Sequence, residues 1–129
     1  MSTVAWVGLG SALGGILRYL AAGWVQRTWP HALPVGTMAV NVSGCLIMGV
    51  LAGLRTEGGE PALKPEVREF LLTGVLGGYT TFSAFSLQTL ALYRDGQPAW
   101  AFAYVVLSVA LCLGSVAAGY ALGRTLTGA

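Results

Sequence analysis

Apolar residues run along this chain in four blocks separated by short polar breaks. They cover roughly residues 3–25, 35–54, 68–92 and 98–123. A helix needs about 20 mostly apolar residues to cross a bilayer, so each block is long enough to span one. The few polar side chains inside the blocks are ordered. In the second block Thr37, Asn41, Cys45 and Met48 follow the spacing i, i+4, i+8, i+11 and share one helical face. Tyr104, Ser108, Cys112 and Ser115 repeat that spacing in the fourth. A lone serine in a membrane helix bonds its own i−4 carbonyl, whereas three hydroxyl groups on one stripe predict a polar track. Asn41 falls in the first third of its span. An amide there either bonds a neighbouring helix or lines a polar path, and its NH2 can donate to an anion.

The third block departs from a simple helix. Gly77-Gly78 followed by Tyr79-Thr80-Thr81 weakens helix propensity in mid-span. Backbone freed in hydrocarbon is costly unless something satisfies it, so a break there predicts irregular backbone lining an ion or water site. The carbonyls of such a break could also hold a cation. Behind it stand Phe82 and Phe85, spaced i, i+3 on one face. Their ring edges are electropositive and can meet an anion, although such a pair also serves as ordinary packing.

Composition sharpens this picture. Of 129 residues, 55% are apolar and only 9% charged, against about 25% charged in a soluble domain. The expectation is an all-α membrane protein, one four-span domain over residues 1–129. No signal peptide is evident, because the first block lacks a basic leader and is too long. The 19 glycines include G-x-x-x-G pairs in every block: Gly10/Gly14, Gly49/Gly53, Gly74/Gly78 and Gly119/Gly123. These let helices approach closely in lipid. Cys45 and Cys112 both lie inside spans and are expected as small apolar fillers rather than a disulfide or metal site.

Charge bears on orientation. Arg55, Lys64, Arg68 and Arg124 fall on one side of the bilayer, and Arg27 and Arg94 on the other, with Arg18 nearest the latter. This bias is weak under the positive-inside rule. Either a slight excess sets one orientation, or the chain inserts both ways and works as an antiparallel homodimer. Arg18 is the one charged side chain well inside a span; it snorkels to the interface or provides fixed positive charge at the mouth of an anion path. Trp24, Trp29, Tyr93 and Trp100 near one set of span ends, with Trp6 and Tyr120 near the other, read as interfacial belts. His31 stands alone in a turn. Glu57, Glu60, Glu66, Glu69 and Asp95 all lie in or beside loops, so no buried carboxylate serves proton coupling. A Ser/His/Asp set, a metal cluster and a phosphate loop are all lacking, so an enzyme is not expected. A net charge of +2 spread over loops gives no sign of nucleic-acid binding.

The segments G-G-I-L-R-Y (14–19), G-T-M-A-V-N-V-S-G (36–44) and G-V-L-G-G-Y-T-T-F-S-A-F (74–85) resemble the Fluc (CrcB) fluoride channels, in order and across essentially the whole chain. The resemblance implies an antiparallel, dual-topology homodimer with two fluoride pores, and a third helix broken in mid-membrane. It places Phe82, Phe85 and Asn41 in the pore, with Tyr104 and Ser108 along its polar track and Arg18 at the family arginine; Thr37, on the stripe of Asn41, is expected in the pore from its spacing. The resemblance also implies a structural Na+ at the dimer centre, held by the backbone carbonyls of Gly77 and Thr80 from both subunits. Two positions depart from the common pattern. Ala84 stands where threonine is frequent, and Cys112 where a hydroxyl often continues the track.

The function so implied is a passive, fluoride-selective channel of the bacterial inner membrane. It would export F− from the cytoplasm and confer fluoride resistance, with fluoride, lipid and a second copy of the chain as partners. The alternative is a small dual-topology multidrug exporter. It requires a membrane-embedded glutamate in span one, where this chain instead carries Arg18.

Overall fold

The computed structural model describes residues 2–128. All the regular structure among them is helical, apart from one isolated bridge between Arg55 and Pro61 in a loop. Helix α1 covers Thr3–Thr28 and α2 covers Val35–Gly53. A third span opens with α3, Pro65–Arg68, continues as a π-helical segment over Glu69–Leu76 and ends its first half in α4, Gly77–Tyr79. Helix α5, Phe82–Arg94, follows, and α6, Pro98–Leu126, closes the chain. Four stretches are thus long and apolar enough to cross a membrane: Thr3–Thr28, Val35–Gly53, Pro65–Arg94 and Pro98–Leu126.

The ends of these helices follow from local chemistry. Pro65 and Pro98 sit at helix starts, where a missing N–H costs nothing. Gly96 takes φ +74°, which lets its N–H donate to the Tyr93 carbonyl and that of Gln97 to the Leu92 carbonyl, closing the tight turn between α5 and α6. Helix α1 runs three residues beyond the predicted end at 25 because its last turn is held. The Thr28 hydroxyl donates to the Trp24 carbonyl at 2.8 Å, and the Trp29 N–H to that of Val25 at 2.9 Å. Arg18 therefore lies deeper than the sequence suggests, about 15 Å from the helix end at 1.5 Å per residue. Gln26, which the sequence pattern did not single out, latches the following turn: its Oε1 accepts the Gly36 N–H at 3.1 Å.

Helix α2 packs most extensively on α6, and α1 on the π-helical segment and α4. Glycine makes both contacts. A Cβ at Gly10 would lie 2.7 Å from the Phe70 carbonyl oxygen and 2.9 Å from Cα of Gly74. One at Gly49 would lie 2.8 Å from the Tyr120 nitrogen. Backbones this close exclude any side chain, so the G-x-x-x-G pairs mark helix–helix seams. Large apolar side chains such as Val4, Leu9, Ile16, Leu87 and Leu113 face outward, as expected where the solvent is lipid. The buried cluster is small and one-sided: Leu33, Phe85, Leu92, Ala101 and Tyr104.

Candidate functional site: a groove among the second, third and fourth spans

The third span has extended backbone at Thr80 (φ −84°, ψ 159°) and Thr81 (φ −153°, ψ 115°). Asn41 closes on that point from α2. Its Nδ2 donates to the Thr81 carbonyl at 3.0 Å, and its Oδ1 accepts the Thr81 N–H at 2.7 Å. One side chain so replaces both helical hydrogen bonds of a residue in extended conformation. The Thr81 hydroxyl accepts the Ala84 N–H at 3.2 Å and caps α5. The Thr80 hydroxyl donates to the Leu76 carbonyl at 2.9 Å and caps the half before it. Ser43 donates to the Ala39 carbonyl at 2.7 Å and meets the Tyr79 hydroxyl at 3.1 Å.

The two polar stripes face each other at a constant register. Thr37 lies beside Tyr104, Asn41 and Ser108 share a groove, Cys45 meets Cys112, and Gly49 abuts Val116. The groove holds about 200 Å³ and is walled by Asn41, Phe82, Phe85, Ser108, Val109 and Cys112. Its floor carries an exception to a strong rule. Ser108 is 5% exposed, yet its Oγ has no hydrogen-bond partner among the described residues. It does not bond its own helix, as a membrane serine ordinarily does. Buried hydroxyls are nearly always satisfied, and an exception calls for an unseen partner. Asn41 also keeps an N–H in reserve, because its amide carries two and Thr81 takes one.

Aromatic rings stack along the same line. Phe82 and Phe85 have centroids 5.4 Å apart with planes tilted by 48°, and Phe85 and Tyr104 lie 5.1 Å apart at 51°. Phe85 is buried at the groove wall, whereas Phe82 is 78% exposed and stands at its outer edge. Tyr104 is fully buried one turn further along, and its hydroxyl donates to Gln88 Oε1 at 2.9 Å. Gln88 is a site residue that the sequence reading missed. Its signal was available, since it is the amide of the third span at i+3 from Phe85.

Of the predicted site residues, Asn41, Phe82, Phe85 and Ser108 line this groove together, with Thr37 and Tyr104 one turn behind. Arg18 is half-buried on α1 and does not line it. Thr80 lies beside it in the extended segment, and Gly77 opens the helical turn before. His31 lies elsewhere and serves its turn, where its Nδ1 accepts the Leu33 N–H at 3.0 Å and its ring meets Trp100 edge-on at 5.3 Å. No group of three or more His, Cys, Asp or Glu suited to a metal occurs among the described residues.

Four apolar spans, three of which wall a largely apolar groove holding a few polar groups, define a small multi-pass membrane protein. A family model described as CrcB-like protein, Camphor Resistance (CrcB), matches residues 5–120, and the chain belongs to that family. A fluoride-specific ion channel FluC of Rhizobium meliloti (strain 1021) is 49% identical over 126 residues, 98% of this chain and 99% of that one. The protein of the same name from Paracoccus denitrificans (strain Pd 1222) is 48% identical over 120 residues, 93% of each chain. That of Rhodospirillum rubrum is 44% identical over 118 residues, 92% of each.

Proposed function

We propose that this chain is a fluoride-selective ion channel of the bacterial inner membrane, and that the groove among α2, α5 and α6 carries its ion. The observation that carries the site is Ser108: a buried hydroxyl without a partner, facing an otherwise apolar groove. A small anion completes it. Ser108 Oγ–H and the second Asn41 N–H donate, while the edges of Phe82 and Phe85 offer positive potential and exclude water. Neutral donors replace part of a hydration shell without trapping the ion, as a fixed positive charge would. Fluoride, small and strongly hydrogen-bonded, recovers its dehydration cost there. A larger halide gains less from each donor. Release is downhill, since a negative-inside potential drives an anion outward by about 2.3 kcal/mol per 100 mV, and this flux lowers cytoplasmic fluoride.

The working unit is an antiparallel homodimer with two such paths. Phe82 supports this: a pore ring 78% exposed on one chain needs a second surface to enclose the ion. The weak charge bias between the loops is what insertion in both directions requires. The extended residues break the third span in mid-membrane and leave carbonyls suited to a structural Na+. The Thr81 N–H, which a helix would direct to the Gly77 carbonyl, goes to Asn41, and the Ala84 N–H, due to the Thr80 carbonyl, goes to Thr81 Oγ1. Gly77 and Thr80 therefore fit the role, and two subunits supply four carbonyl oxygens. Bound there, Na+ would tie the subunits together and do no chemistry. The multidrug-exporter alternative finds no support, because the acidic residues are in loops or at span ends.

Proteoliposomes loaded with fluoride test the assignment. Rapid fluoride release with no chloride release is expected; release of both ions, or of neither, rejects it.

A further inference from the structure

We propose that Cys45 and Cys112 form a two-coordinate site for a soft divalent cation, of which Hg2+ is the type, in mid-membrane beside the ion groove. Both are free thiols, half-buried near the middle of α2 and of α6. Their side chains face each other across the helix seam and line one groove. Together with Asn41, Thr80, Thr81 and Phe82 they line a groove of about 220 Å³. Gly49 and Gly119, whose close approaches fix the seam one or two turns away, hold the two thiols on rigid helices. The pair is therefore positioned before any ligand arrives.

The ligand class follows from donor type, number and charge. Thiolates select soft metals. No third His, Cys, Asp or Glu joins the pair among the described residues, so a tetrahedral Zn2+ lacks its ligand set. A metal content with two bonds suits linear S–M–S coordination. Binding breaks two S–H bonds, forms two S–Hg bonds and releases two protons to solvent. The product is neutral. A monovalent soft ion on the same two thiolates leaves a net negative charge in a low-dielectric setting, which is costly. The site so prefers the divalent ion. Because the groove is shared with Asn41 and Phe82, the bound ion also obstructs the path of fluoride; that consequence alone rests on the channel assignment.

HgCl2 titrated into the purified full-length protein, followed by thiolate-to-metal charge-transfer absorption and intact mass, tests the site. One mercury per chain is expected, with joint protection of both thiols from alkylation and retention of the metal against a competing monothiol; in Cys45→Ser and in Cys112→Ser the two-thiolate absorption should vanish and the monothiol should strip the mercury. Two mercury ions per chain, one on each thiol, overturn the bridge, as does undiminished two-thiolate absorption or retention in either variant. Displacement by Ag+ at equal concentration overturns the preference for charge two. In proteoliposomes washed with a competing monothiol after treatment, Hg2+ should still abolish fluoride release by the wild type and leave each serine variant at its own untreated rate. Normal mercury uptake by a protein that releases no fluoride rejects the channel assignment and upholds the site. Normal release without mercury uptake rejects the site alone.

Discussion

Two polar residues in one groove carry opposite structural debts. Asn41 satisfies both backbone groups of Thr81, whereas Ser108 satisfies nothing and is itself unsatisfied. Leaving a buried backbone group without its partner costs about 1–3 kcal/mol, so Asn41→Ala should destabilise the protein by about 2–6 kcal/mol for the two groups it strands. Thermal melting in detergent checks this, and an unchanged midpoint would mean the clamp is not what holds the extended segment. Ser108→Ala should do the reverse. Removing an unpartnered buried hydroxyl leaves stability level or slightly raised. A hydrogen bond to an ion is worth about 1.5–3 kcal/mol, so fluoride release should slow by about ten- to a hundredfold. A normal rate with normal folding would take Ser108 out of the ion path. The pair separates scaffold from conduction within one groove.

At the scale of elements, adjacent glycines on α1 behave differently. A Cβ at Gly14 would come 2.8 Å from the Tyr79 nitrogen, against the backbone of the third span, while one at Gly15 meets nothing within 4 Å. Gly14→Ala should force the helices apart at about 1–3 kcal/mol, and Gly15→Ala should gain about 1 kcal/mol of helix propensity. Melting curves of both variants check the contrast; equal shifts would remove close approach as the reason for Gly14. Such seams were legible in the sequence, because G-x-x-x-G spacing is a property of one helix. The stripes of Thr37–Asn41 and Tyr104–Ser108 were legible for the same reason. Other features depend on what a distant element presents. Asn41 could be read as bonding a neighbouring helix or lining a path, but its partner, the backbone of a residue 40 positions away, could not. The bond from Tyr104 to Gln88 hides likewise in the packing of α5 on α6. Nor did the π-helical course of Glu69–Leu76 show in composition, since its residues carry no breaker before Gly74.

For the whole molecule, the proposed dimer makes two consequences inseparable. If four carbonyls from Gly77 and Thr80 meet at the two-fold axis, Na+ binds only the paired chains and stabilises them by mass action, about 2.7 kcal/mol at a hundred times its dissociation constant. Exchanging Na+ for a large organic cation should then lower the melting midpoint and shift cross-linked dimer towards monomer. A midpoint indifferent to the cation would remove the ion from the structure. Antiparallel pairing further demands that chains insert in both directions. With Arg55, Lys64, Arg68 and Arg124 set against Arg27 and Arg94, the charge difference is small enough that each added arginine or lysine tips it. A reporter on the C-terminus should accordingly be active on both faces of the membrane. Adding two lysines to the loop at 57–60 should drive that loop to the cytoplasm and abolish fluoride release, while co-expression with a copy biased the other way should restore it. Release that survives a fully one-sided population would mean that parallel dimers or single chains conduct, and the exposed Phe82 would need another explanation.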